Sequence, residues 1–141
     1  MNLFDTCVLL DIATADPNWL TWSETQFRKA ATQGSIFINP IIYTELAPAF
    51  SSVAKLDEWL DPTIFQRLPL PYAAGWLASQ AFLKYRRGSG TKTSPLPDFY
   101  IGAHAEFEQL TLVTRDAARQ DETIVVRLDL RRLNVVNFGH G

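Results

Sequence analysis

At 141 residues, 47% of them apolar and 20% charged, the chain suits one domain of about 150 residues and excludes disordered, collagen-like and coiled-coil architectures. Cys7 is the only cysteine, which excludes a disulfide framework or a thiolate-rich zinc site, and no apolar run approaches the roughly 18 residues of a membrane span. The net charge of −2 gives no support of its own to nucleic-acid binding, and the start Met1-Asn2-Leu3-Phe4-Asp5 lacks the pattern of a secretion signal. The expectation is a single domain over 1–141, in the cytoplasm and without a membrane partner.

Asn2 to Phe4 begins a short strand that ends at Asp5. Asp16-Pro17 pairs an N-cap with a proline at the first helical position, predicting a helix to about Gln33, where Gly34 stops it. Ser35 to Ile38 reads as a second strand. Pro40 opens a short helix through Glu45 and Leu46, which Pro48 ends or kinks. A helical stretch near Ser52 to Leu60 and a third strand at Phe65 to Leu68 follow. Tyr72 to Arg87 has the composition of a longer helix, and Gly88 to Pro95 that of a flexible loop. Pro97 then opens a helix to about Gln109, and Leu110 to Thr114 forms a fourth strand. The tail holds two β-rich pieces, Thr123 to Val126 and Leu133 to Val136, whose joint membership of the sheet the pattern leaves open. Strands separated by helices imply an α/β fold with a mostly parallel sheet flanked by helices.

In such sheets sites form beyond the carboxyl ends of the strands. Asp5 follows strand one and Asp116 lies just past strand four. Each alone reads as a turn residue or cap. Glu45 is harder to dismiss, because Ile42, Glu45, Leu46 and Ala49 share one helical stripe and an unpaired carboxylate within it is costly. Asp98 shares a face with Ile101, Gly102 and Ala105, though it could equally cap its helix. Carboxylates about 4 Å apart repel by roughly 4 kcal/mol per pair at an effective dielectric near 20. Such a cluster must protonate, spread or bind a cation. Oxygen-only ligands without clustered His or Cys favour Mg²⁺ or Mn²⁺ over zinc. Thr6 and Thr114 can orient carboxylates or water; as a β-branched residue, Thr6 is more simply part of the strand.

Leu3-Phe4-Asp5-Thr6, Tyr43-Thr44-Glu45-Leu46, Pro95-Leu96-Pro97-Asp98-Phe99 and Val113-Thr114-Arg115-Asp116 resemble, in order and spacing, the acidic motifs of PIN domains, and most of all those of VapC toxins. The resemblance runs from Asp5 to Arg119. It implies a magnesium-dependent endoribonuclease, with Asp5, Glu45, Asp98 and Asp116 as the acidic site and Thr114 supporting it; Asp5, Asp98 and Asp116 would hold the metal. It also implies a homodimer, a cognate antitoxin that blocks the site, and products with a 5′-phosphate and a 3′-hydroxyl. Two departures stand out. Cys7 occupies a position where the family usually has Ser or Asn, and the aromatic and Pro-containing approach to the last strand is missing after Arg119.

Lys84, Arg86, Arg87 and Lys92 lie in a stretch without an acid. They read as charge at a helix end or, beside a metal site, as a strip that holds RNA phosphates. The chemistry implied is metal-assisted hydrolysis, which needs no covalent nucleophile. Paired-histidine catalysis is unsupported, because His140 is penultimate and His104 lies off the face of Asp98; His104 reads as structural. Trp19 and Trp22, at i and i+3, suit the core or an anchor pair for a protein segment, and Trp59 and Trp76 are simplest as core. A phosphoryl-accepting signalling domain is disfavoured, since Arg67-Leu68-Pro69 stands where its acid belongs and no lysine follows Lys92. The remaining alternative is a PIN fold that binds RNA or protein without cleaving.

Overall fold

A computed structural model describes residues 1–89, 96–115 and 134–136. The chain divides into two compact units, Met1–Pro69 and Leu70–Gly141. In the first, β1 (Asn2–Phe4), α1 (Thr6–Ala13), α2 (Leu20–Ala31), β2 (Ile36–Ile38), α3 (Pro40–Leu46), α4 (Val53–Trp59) and β3 (Phe65–Arg67) follow in order, with a 3-10 turn at Ala47–Ala49 between α3 and α4. The strands lie in the order β3-β2-β1. Both pairings are parallel, with Asn2 beside Ile36 and Ile36 beside Phe65. Every residue of β1 and β2 is buried, as expected of strands covered on both faces.

In the second unit, α5 (Tyr72–Ser89), α6 (Leu96–Glu108), β4 (Thr111–Val113) and β5 (Asn134–Val136) follow, and β4 pairs with β5 in parallel. Phe82 meets Phe99 edge to face at 5.5 Å, and the Tyr100 hydroxyl donates to the Pro71 carbonyl. The α/β class and the parallel pairing agree with the sequence. No described helix is long and apolar enough to cross a membrane.

Several elements differ from the sequence expectation. The helix assigned from Pro17 begins at Leu20: Asp16 Oδ1 accepts from the amides of Asn18 (2.9 Å) and Trp19 (3.0 Å), so the aspartate holds a turn ahead of α2. The helix ends at Ala31, and Gly34, at φ 140°, makes the reversal into β2 in a backbone region that side chains disfavour. Helix α1 is not announced by the sequence at all. Its buried residues include Thr6, Val8, Leu9 and Asp11, two of the four polar, without the 3.6-residue apolar stripe that marks a surface helix. Asp11 is buried in its last turn and accepts from Ser23 Oγ at 2.8 Å, tying α1 to α2.

The tryptophans divide. Trp59, half-buried, stacks on Phe65 at 5.7 Å and meets Phe50 at 5.6 Å at the border of the core. Trp76 is 73% exposed on α5, so its core assignment fails: it shares an open stripe with Tyr72 and Leu83. Trp19 and Trp22 do share a face and meet edge to face at 5.6 Å. Of the tail, Asn134–Val136 forms a strand, whereas Thr123 to Val126 and the Gly90 to Pro95 part of the loop lie outside the described residues.

Candidate metal centre and its surroundings

Asp5 follows β1 and occupies the N-cap position of α1 with extended backbone (φ −63°, ψ 147°). Its carboxylate makes no capping bond to that helix. The cap role that would explain an aspartate here is therefore not the one it fills. Thr6, the next residue, opens α1 rather than extending the strand, which corrects the expectation for it. It is buried, and its hydroxyl donates to Glu45 Oε1 across 2.6 Å.

Glu45 reaches Thr6 because of how α3 is set. Asn39 caps that helix by accepting from the Ile42 amide at 3.0 Å, and Pro40 starts it. Ile42 and Leu46 are buried, leaving half-buried Glu45 between them. The stripe stops there, for Ala49 is exposed in the 3-10 turn that Pro48 enforces. In the first unit, then, the Thr6–Glu45 bond brings Glu45 of α3 to the residue next to Asp5, at the carboxyl end of β1.

In the second unit, Asp98 stands half-buried in the first turn of α6. Ile101, Gly102 and Ala105, which share its face, are all buried. Thr114 follows β4 and is fully buried. Asp116 and Lys92 lie outside the described residues. Among the described residues no three His, Cys, Asp or Glu side chains converge as a ready ligand cage. The donors on offer are nonetheless all oxygen, which fits a hard cation and not zinc.

Buried His104 packs within α6, and desolvation pushes its imidazole below the usual histidine range, partly offset by the charge of Glu108. This agrees with a structural histidine. Lys84, Arg86 and Arg87 are exposed in the last turns of α5. The Arg86 guanidinium stands 5.7 Å over the Phe82 ring, and Arg87 Nε donates to the Leu83 carbonyl at 3.4 Å. The latter bond is of the helix-end kind.

One polar cluster in the first unit has no sequence signal. Arg67, at the end of β3, donates to Asp57 Oδ1 at 2.8 Å, and the Tyr43 hydroxyl donates to the same oxygen at 3.0 Å. The guanidinium also lies 5.0 Å above the Tyr43 ring. The hydrogen bond from Arg67, then that from Tyr43, hold Asp57 below the usual carboxylate range. Desolvation and the bond to Asp57 raise the Tyr43 phenol.

Residues 3–126 match the family model of the PIN domain. No curated protein matches the sequence significantly. Among solved structures, VapBC2 from Rickettsia felis bound to a promoter DNA fragment superposes with a TM-score of 0.68 at 16% identity, covering 96% of this chain and 97% of that one. FitAcB from Neisseria gonorrhoeae gives 0.65 at 19% identity with 97% of each chain covered. DNA-bound VapBC from Salmonella typhimurium gives 0.65 at 19% with 96% of each. At these identities the likeness is one of fold.

Proposed function

The chain belongs to the PIN-domain family, and from that membership we propose that it is a metal-dependent endoribonuclease and the toxin of a toxin–antitoxin pair. The observation that carries this reading is the Thr6–Glu45 bond of 2.6 Å. A buried hydroxyl committed to one oxygen of a half-buried glutamate fixes that side chain and leaves Oε2 for other work. A carboxylate so held is an instrument of binding or proton transfer rather than a solvated surface charge.

Asp5, Asp98 and Asp116 would hold Mg²⁺, or Mn²⁺ in its place, with Glu45 completing the acidic set. When bound, the cation lowers the pKa of water and offsets charge on the phosphodiester. Glu45 Oε2 accepts the proton that attacking water releases, and Thr6 keeps Glu45 in one rotamer while it does so. Thr114, buried beside the position of Asp116 in sequence, supports that carboxylate through its hydroxyl. Lys84, Arg86, Arg87 and Lys92 hold the phosphates of the RNA on either side of the cut.

An antitoxin would block the site, and its arginine would suit the carboxylates because the guanidinium fork meets them bidentately. The names of the VapBC and FitAcB structures are those of similar folds, and they support a protein partner here too. The toxin works in the cytoplasm, as a homodimer. The test is incubation of purified, partner-free protein with total RNA in Mg²⁺, in Mn²⁺ and in chelator. Cleavage in both metals, none in chelator and none by Asp98→Asn is the expected outcome. Binding without cleavage in any metal would leave the non-cleaving module as the better account.

A further inference from the structure

A hollow of about 250 Å³ opens at the carboxyl ends of β2 and β3, and nothing in the proposed chemistry uses it. Its walls are Ile38, Pro40 and Leu68, with Tyr43, Thr44 and Arg67 supplying polar edges. The volume falls just under the roughly 300–1,000 Å³ of sites for drug-sized ligands. It suits one flat ring system with its substituent.

Arg67 is built into the rim. Asp57 and the Tyr43 ring fix its guanidinium, yet only one of its N–H groups is bonded among the described residues. Its side chain is 54% exposed. Asp57 does not line this hollow; it lines the neighbouring one on the far side of Arg67, with Ser35, Leu60 and Phe65. The acid therefore anchors the guanidinium from outside the hollow's lining, and its other N–H donors carry no bond among the described residues. A fixed fork over an apolar well is a receptor for a group that is anionic at one end and flat at the other.

We propose that this hollow takes one unpaired nucleotide of the RNA strand, its base in the well and its phosphate on Arg67. This rests on the ribonuclease reading above. The placement follows from α3, which carries both Tyr43, on the hollow, and Glu45, two residues on and on the opposite side of the helix. With a helix about 10–12 Å across including side chains, the two positions stand within a few nucleotides of one another along a strand. The pocket would then select the residue flanking the cut by its ring, since unpaired RNA bases are read by stacking and edge contacts.

The experiment measures binding of a labelled, single-stranded RNA octamer to wild type, Arg67→Ala, Arg67→Lys and Tyr43→Phe, all in chelator and over a salt series. Arg67→Ala should weaken binding about tenfold or more, the scale of a lost charge-assisted hydrogen bond. Its salt slope should flatten by about 0.7, one released counterion on single strands. Arg67→Lys should restore the slope but not the full affinity, and Tyr43→Phe, which keeps the ring, should bind nearly as wild type. Circular dichroism checks that each variant is folded. Unchanged affinity and slope in Arg67→Ala, with wild type cleaving RNA in a parallel assay in Mg²⁺, would overturn this inference alone. Loss of binding to a protein inhibitor with RNA binding intact would also overturn it, assigning the hollow to a protein segment. If wild type neither binds nor cuts RNA, the ribonuclease reading falls and the pocket assignment with it.

Discussion

Thr6 Oγ1 and Glu45 Oε1 stand 2.6 Å apart, a bond that joins the first turn of α1 to α3 across 39 positions of sequence. If this bond holds Glu45 for its role, Thr6→Val, which keeps the shape and deletes the donor, should lower cleavage about 10- to 100-fold, the scale of lost outer-shell support. It should also cost about 1–2 kcal/mol of stability. Thr6→Ser should recover most of both. The loss should fall on kcat more than on KM, because Thr6 acts through Glu45 and not on the RNA. A Thr6→Val enzyme with wild-type kcat would leave the bond a matter of folding only.

His104 makes stability depend on pH. Burial holds its pKa in the folded chain below the ordinary imidazole value of 6.5. The unfolded chain therefore takes up a proton that the folded chain refuses, and this contribution to stability is present above pH 6.5 and lost as pH falls through the folded pKa. Melting temperature should drop between about pH 7.5 and about pH 5.5, and His104→Gln should lose that part of the drop. The comparison is of slopes, so an overall destabilised variant still reports.

Ala15 adopts a left-handed backbone, φ 53°, where the chain leaves α1. A Cβ there costs roughly 1–2 kcal/mol relative to glycine. The side chain is exposed, so nothing is lost in packing. Ala15→Gly should raise stability by about 0.5–1 kcal/mol in denaturant melts, after the extra freedom of glycine in the unfolded chain is set against the relief.

The two tryptophans on α4 and α5 should respond differently to truncation. Trp59→Ala removes rings stacked on Phe65 and tilted against Phe50 and should cost about 2 kcal/mol or more. Trp76→Ala, at a position 73% exposed, should cost less than about 0.5 kcal/mol. Equal losses, in the monomer, would mean that Trp76 packs against something the exposure does not reveal.

Punctuation carried much of the fold. Pro40 and Pro48 act locally and each marks a boundary where expected, while Gly34 reverses the chain three residues after α2 has ended. What escaped was decided by tertiary contact. Helix α1 lacks an amphipathic stripe because its buried residues include Thr6 and Asp11, whose polar groups are satisfied by Glu45 and Ser23 from distant segments. Trp76 looks like core by composition, yet its direction on α5 is a matter of packing. The Tyr43–Asp57–Arg67 cluster joins three elements with no spacing rule between them. Of the proposed site, Asp5, Glu45 and Asp98 are candidates on strand ends and helical stripes alone, whereas the Thr6–Glu45 bond needed the fold.

The central claim is that the acids bind a hard cation, and Mg²⁺-dependent melting of wild type and Asp98→Asn at about pH 7.5 addresses it most directly. At about 100 times the dissociation constant, wild type should gain roughly 2.7 kcal/mol. Without metal, Asp98→Asn should melt at or above wild type, because one carboxylate fewer repels the rest. Adding Mg²⁺ should then put wild type on top, with little gain in the variant. If Asp98→Asn is the less stable protein in chelator and both gain equally from Mg²⁺, Asp98 is a helix-end charge and the metal site is not there.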